Sequence, residues 1–368
     1  MSIKSLTYKI LSFFLASSLF FHFEAKASEE AHGEEKNFDI STMIFHHISD
    51  AHEWEFAHFG DTHLSISLPV ILFSSDRGFE TFSFSNLKSH EGHPMVYQDY
   101  STDHHGKIIS TLPGREIFAF MPDAHAAHQE GAVKVYNISI TKNIASLFLS
   151  VLILFAVFIP VANGYSKRKG AAPKGIQSFF EPIVVFIRDE IALPNIGAKS
   201  DRYMPFLLTV FFFIWFNNLL GLIPGGANLT GNIAVTFSLA LITLLITVFS
   251  GNKDYWMHII WTPGIPMWLR PIMIPVELVG IISKPFSLMV RLFANITAGH
   301  VIILSLLGLT FIFKSIGVGV AATLFSTVMS LLELFVAILQ AYVFTLLSAM
   351  YFGQATAEHE HDHADGHH

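Results

Sequence analysis

From Ile272 to Phe313 the chain runs almost without interruption through Ile, Leu, Val, Met, Phe and Ala, 42 residues in all. As a helix this stretch would be roughly 60 Å long at 1.5 Å per residue. That is twice the ~30 Å hydrocarbon core of a bilayer. The segment must therefore tilt steeply in a membrane, break at Pro275 or Pro285, or extend beyond the bilayer. The composition agrees with a membrane setting: 52% of the 368 residues are hydrophobic and 14% are charged, against about 25% charged in soluble domains. There is no cysteine, which excludes disulfides, thiolate metal sites and cysteine nucleophiles. The formal net charge of −7 argues against a nucleic-acid partner, which needs a basic surface.

The remaining apolar runs give a count. Ile144 to Ala162 is a first span; Tyr203 to Ile223 and Ile233 to Ser250 form a helical hairpin around the tight loop Pro224-Gly225-Gly226-Ala227-Asn228. The Ile272–Phe313 stretch is the fourth. After Lys314-Ser315-Ile316-Gly317, Val318 to Phe352 is the fifth. Ile176 to Ile191, interrupted by Glu181, Arg188, Asp189 and Glu190 and followed by Pro194, reads as an interfacial amphipathic helix that ends at the proline. Trp256, Trp261 and Trp268 among several prolines read as an aromatic belt at headgroup depth. The predicted fold is an all-α polytopic membrane protein with five transmembrane helices, the last two long and tilted, plus interfacial helices. No internal repeat is evident, which weighs against inverted-repeat transporters.

Orientation follows from charge. Lys167-Arg168-Lys169 and Lys174 follow the first span directly, placing its end in the cytoplasm by the positive-inside rule. Lys4, Lys9, the apolar Ile10 to Phe21 and Ala25-Lys26-Ala27 have the layout of a secretory signal peptide, residues 1–27. Both signals put residues 28–140 outside, in the periplasm. That region is polar and His-rich, and is expected to be a small extramembrane β-containing region. Leu64 to Leu68 alternates as a half-buried strand, Asp76-Arg77-Gly78 supplies a turn before Phe79 to Phe84, and a hairpin is predicted. Val133 to Thr141 is a further extended segment leading into the membrane domain, residues 141–353. The His-rich residues 354–368 read as a solvated cytoplasmic tail. The adjacent pairs His46-His47 and His104-His105 define no metal site, and no cofactor is expected.

Within the membrane sequence the polar residues are few and ordered. Ser283, Ser287, Arg291 and Asn295 recur every four residues, so they line one face of a helix. A guanidinium at mid-bilayer depth costs roughly 2.5–3.5 kcal/mol on insertion scales, and it keeps its charge at any physiological pH. Hydrogen bonding between helices would account for the serines but not for the arginine. His300, nine residues on, points to the opposite side of the helix. Glu333 and Gln340, seven apart, share a face of the last helix. An imidazole and a carboxylate are the groups a membrane proton relay uses, although a static hydrogen-bonded pair would contain the same two residues. Neither the phosphate-binding G-x-x-x-x-G-K-[ST] loop nor H-E-x-x-H occurs.

The segment Ser283-Lys284-Pro285-Phe286-Ser287-Leu288-Met289-Val290-Arg291-Leu292-Phe293-Ala294-Asn295, with Ala298-Gly299-His300, closely resembles the signature of subunit a of F-type ATP synthases. Leu339-Gln340-Ala341-Tyr342-Val343-Phe344 resembles that family's last helix, and Asn218-Leu219-Leu220-Gly221-Leu222-Ile223-Pro224 its hairpin. The resemblance covers about residues 140 to 352 and says little about residues 28–140. It implies a proton-translocating stator subunit in the cell inner membrane, performing no bond chemistry itself. The implied partners are a ring of c subunits, the subunit b peripheral stalk, the rest of the synthase and the lipid bilayer. Arg291 would face the ring and keep passing carboxylates ionised. His300, Glu333, Gln340, Asn295 and Asn218 would line an outer half-channel. Glu277 and Ser287 match positions associated with the inner one. The acid and imidazole stand exchanged relative to some members, and Ala294 replaces a frequent glycine. Two rival readings use the same residues differently: a stand-alone proton-coupled antiporter or channel, and a membrane-anchored metal-binding protein built on the His-rich ends.

Overall fold

The computed structural model describes residues 50–59, 62–88, 94–103, 106–119, 133–167, 170, 172–223, 226–260 and 270–357. The expected signal peptide, His46-His47, His104-His105, Trp261, Trp268 and residues 358–368 of the expected His-rich tail lie outside the described residues; Gln354 to Thr356, expected to open that tail, instead belong to the last helix. The chain divides into two compact units, one of Met1–Leu149, Leu220–Leu229 and His300–Ser330, the other of Ser150–Leu219, Thr230–Gly299 and Leu331–His368.

The first unit holds the strands. β1 (Glu53–Phe59) and β2 (Thr62–Ser67) form an antiparallel pair. β3 (Pro69–Ser74) and β4 (Gly78–Ser83) form a hairpin, and β5 (Tyr100–Thr102) pairs with β6 (Ile108–Ser110). With β7 (Arg115–Ala119) and β8 (Val133–Asn137), the hairpin builds a four-stranded sheet of order β4-β3-β8-β7, in which β7 and β8 run parallel. The expected turn is where the hairpin closes: Gly78 has φ 74°, which costs a glycine nothing. The strand expected at Leu64 to Leu68 belongs elsewhere, since β2 pairs with β1 and the chain crosses to the second sheet at Leu68, whose N–H donates to the His52 carbonyl. Alternation within β3 sends Val70 and Leu72 into a core with Phe82, Phe84, Leu87, Tyr100, Ile108 and Val135.

The strand region is tied to the first span by hydrogen bonds. α1 (Lys142–Lys167) begins with two amides that have no partner within the helix. Lys142 N–H donates to the Ala51 carbonyl at 2.8 Å, and Asn143 N–H to Asp50 Oδ1 at 3.2 Å. Beside this joint His52 stacks on Phe84, with ring centroids 5.4 Å apart.

The second unit is helical. α2 (Ile176–Phe186) passes without a break into a π-helical stretch, Ile187–Ala192, and then into α3 (Leu193–Ile196). The expected stop at Pro194 does not occur. Pro194 sits in the first turn of α3, where its missing N–H is no loss; the stop comes at Gly197, with φ 74°. α4 (Ser200–Gly221), α5 (Ile233–Ser250) and the short α6 (Lys253–Ile260) follow. Phenylalanines fill the core, Phe158, Phe180 and Phe212 packing with centroids 4.5–5.7 Å apart.

α7 (Arg270–Phe313) and α8 (Ile316–Thr356) are 44 and 41 residues long. Neither Pro275 nor Pro285 breaks α7, so of the expected alternatives steep tilt and extension beyond the bilayer remain. Lys314, in left-handed conformation at φ 43°, and Ser315 alone join the two helices. In the second unit α8 buries Ala337, Ala341, Thr345, Ser348 and Ala349. Small residues let helices approach closely where lipid offers no hydrophobic driving force. Among the described residues five helical runs are long and apolar enough to cross a membrane, the number the sequence predicts: Lys142–Lys167, Ile176–Gly221, Ile233–Ser250, Ile272–Phe313 and Ile316–Thr356.

Candidate functional site

The four-residue stripe on α7 stands on one exposed face: Ser283, Ser287, Arg291 and Asn295 are all solvent-accessible, while Leu288, Met289, Leu292 and Ile296 are buried. Around the stripe the accessible residues are apolar: Val279, Ile282, Phe286 and Val290. α8 shows a similar surface at Leu331, Leu332, Phe335 and Ile338. Arg291 makes no ion pair among the described residues. A charged group that no described residue neutralises thus lies on an oily surface.

Behind the stripe is a buried polar cluster. Asn295 donates its amide to Gln340 Oε1 at 2.9 Å. Gln340 is 2% exposed, and its buried Nε2 has no hydrogen-bond partner among the described residues. Such a buried donor costs free energy unless a partner arrives. Two turns earlier on α8, Glu333 is 3% exposed, and a Cβ on Gly299 would stand 2.7 Å from its Oε1. The backbone of α7 therefore rests directly on the carboxyl, and any side chain at residue 299 would displace it. Asn218, near the end of α4, donates to the Ala337 carbonyl at 3.2 Å and accepts from Thr230 Oγ1 at 2.7 Å. His300 belongs to the first unit, where its Nε2 lies 3.2 Å from the Gly221 carbonyl. Glu333 belongs to the second, so the pairing of these two residues remains an inference from the sequence.

Toward the start of α7 there is a separate polar group. Lys284 Nζ donates to Gln354 Oε1 at 2.7 Å and lies 5.5 Å over the Tyr351 ring. A small cavity there is lined by Thr247, Tyr255, Lys284 and Gln354. Glu277 is half-buried; burial first, and then the charge of Glu277, push the Tyr255 hydroxyl above its ordinary range.

Asn295 and Gln340 are thus in contact, and Asn218 touches the last helix. Thr230, Gly299 and the Lys284–Gln354 contact are additions. Gly299 was visible as a small residue beside His300; Thr230 gave no signal, because its contact depends on how the hairpin loop folds back. No group of three or more His, Asp or Glu residues is placed to hold a metal ion among the described residues.

Among the described residues, five helical runs of membrane-spanning length and apolarity define a polytopic membrane protein, one that carries Arg291 on an exposed apolar helix face with a buried polar cluster behind it. Residues 144–353 match the ATP synthase A chain family, and residues 43–133 match a domain of unknown function, DUF8433. The chain is 48% identical over 271 residues to ATP synthase subunit a 2 of Chlorobaculum tepidum, covering 71% of this chain and 75% of the relative. It is 43% identical over 267 residues to ATP synthase subunit a of Chloroherpeton thalassium, covering 71% and 79%. Against ATP synthase subunit a of Myxococcus xanthus the figures are 44% over 242 residues, covering 62% and 78%. The chain belongs to the ATP synthase A chain family, the proton-translocating stator subunit of the F-type complex.

Proposed function

We propose that Arg291 is the fixed cation past which carboxylates of a rotating ring of c subunits move, and that polar residues on either side of it form two offset half-channels. The observation that carries this reading is the exposure of Arg291 on an apolar helix face with no ion pair among the described residues. A nearby cation favours the ionised form of an acid, and desolvation favours the protonated form. A ring carboxyl therefore releases its proton on reaching Arg291 and takes one up before re-entering lipid. Because Arg291 keeps its charge, it also repels protons that would pass straight from one half-channel to the other. Movement of charge through the membrane potential is worth ~2.3 kcal/mol per charge per 100 mV, and the offset turns this into rotation.

The outer half-channel is assigned to His300, Glu333, Gln340, Asn295 and Asn218, and the inner one to Glu277 and Ser287. The orphaned Nε2 of Gln340 supports the first assignment, since a buried donor of this kind is suited to an entering water. The partners are the c ring and the subunit b stalk. The membrane is the cell inner membrane, with residues 28–140 periplasmic after removal of residues 1–27 and the C-terminus cytoplasmic; the Lys167–Lys174 charges support that orientation. ATP-driven proton pumping by inverted vesicles tests the central assignment. Arg291→Ala, assembled normally, should abolish pumping; pumping at the wild-type rate would refute it.

A further inference from the structure

A cavity of about 410 Å³ opens in the second unit where three helix ends meet: the start of α4, the end of α5 at Ser250 and the end of α8 at Thr356. It is an order of magnitude larger than the ~30 Å³ share of one water. Lys199, Arg202, Tyr203, Ser250, Asn252 and Thr356 line it. Part of its wall is braced through the Thr356 carbonyl, which accepts from Asn252 Nδ2 at 3.0 Å and from Lys199 Nζ at 3.4 Å. Arg202 lies 5.9 Å over the Tyr203 ring and has no carboxylate partner among the described residues. Asp201 is the one acidic residue of the described lining, set against the two cations Lys199 and Arg202. The cavity wall is therefore cationic.

Its depth is set by the helices. The apolar run of α4 begins at Tyr203 and that of α5 closes at Ser250, so the cavity lies at one rim of the hydrocarbon layer. Phe249, 83% exposed, projects from the last turn of α5 immediately beside Ser250. A cationic hollow whose neighbouring surface is apolar matches an amphiphile with an anionic head. Arg offers paired donors that fit phosphate oxygens, and basic pockets between membrane helices bind lipid headgroups.

We propose that this cavity is a phospholipid site, in which Lys199, Arg202 and the Asn252 amide hold the headgroup phosphodiester and the acyl chains run along Phe249. The phosphate chemistry alone would also suit a free inorganic anion, and the test separates the two. Native mass spectrometry of the intact synthase, released from mild detergent, should show phospholipid bound to the wild-type subunit. The double variant Lys199→Gln with Arg202→Gln should lose it severalfold, and Lys253→Gln, outside the cavity lining, should not. Millimolar inorganic phosphate should leave the lipid in place. Displacement by phosphate, equal retention by the double variant, or no phospholipid on the wild type would each overturn the assignment. Should the double variant not assemble, Phe249→Glu charges the acyl path while keeping both cations; lipid retained at the wild-type level there would also overturn it.

Discussion

Asn295 and Gln340 are joined amide to amide at 2.9 Å, so that the one exposed on α7 is held by the one buried on α8. The bond fixes the end of the polar stripe four residues beyond Arg291, and it leaves the second amide hydrogen-bonding group of Gln340 free to meet something else. A side chain oriented by a buried partner is better placed than one on a mobile surface.

A double-mutant cycle on this pair measures the bond. Asn295→Ala, Gln340→Ala and the double variant should show a coupling of about 0.6 kcal/mol in unfolding from lipid-detergent micelles, the average for hydrogen bonds between membrane helices. Strict additivity would mean that the amides do not interact.

Gly299 should tolerate nothing larger. Its missing Cβ would lie 2.7 Å from Glu333 Oε1, so Gly299→Ala must displace the carboxyl or separate α7 from α8. Proton pumping is expected to fall severalfold in assembled complexes, and Gly299→Val to fall further. Equal pumping by glycine and alanine forms would show that the position of the carboxyl is immaterial.

If His300 and Glu333 act as an acid–imidazole pair, what matters is that both groups are present, not which helix carries each. Exchanging them (His300→Glu with Glu333→His) should preserve more pumping than either single replacement. Equal loss in all three variants would argue that each acts alone.

The β-rich region should weaken in acid in two separate windows. Burial pushes the His52 imidazole below its ordinary 6.5, an effect that the Asp50 charge opposes. The unfolded chain therefore binds the extra proton more readily, and stability is complete above pH 6.5 and declines as the pH falls below it. Asp76, bonded first by Arg115 and then by Ser74, titrates at about 2 instead of 3.8. Its contribution is present above 3.8 and disappears as the pH falls toward 2. Thermal unfolding followed by Trp54 fluorescence should show the first decline in the wild-type chain and not in His52→Phe. An unchanged first decline in that variant would exonerate His52.

Much of this was visible in residue order. Apolar runs of membrane length fix the number of spans because no other environment accommodates them, and a period of four puts the stripe on one helix face. What periodicity does not encode is contact between distant segments. The alternation at Leu64 to Leu68 was sound, yet its partner was the preceding strand, since alternation specifies a face and not a neighbour. Pro194 looked like a terminator because a proline inside a helix usually is one; the π-helical stretch before it places it in a first turn, where it does no harm. Thr230 reaches Asn218 only through the hairpin loop, a fact of tertiary structure.

The joint at Asp50, Ala51 and the start of α1 has a mechanical consequence. Chain continuity through residue 141 supplies one attachment between the β-rich region and the start of α1, and the hydrogen bonds that the Lys142 and Asn143 amides donate to Ala51 and Asp50 supply a second. A swivel with one pivot turns freely; one pinned on both sides transmits torque. Anything that grips the β-rich region therefore also holds the first turn of α1, and a load applied there reaches that turn undiluted by slack.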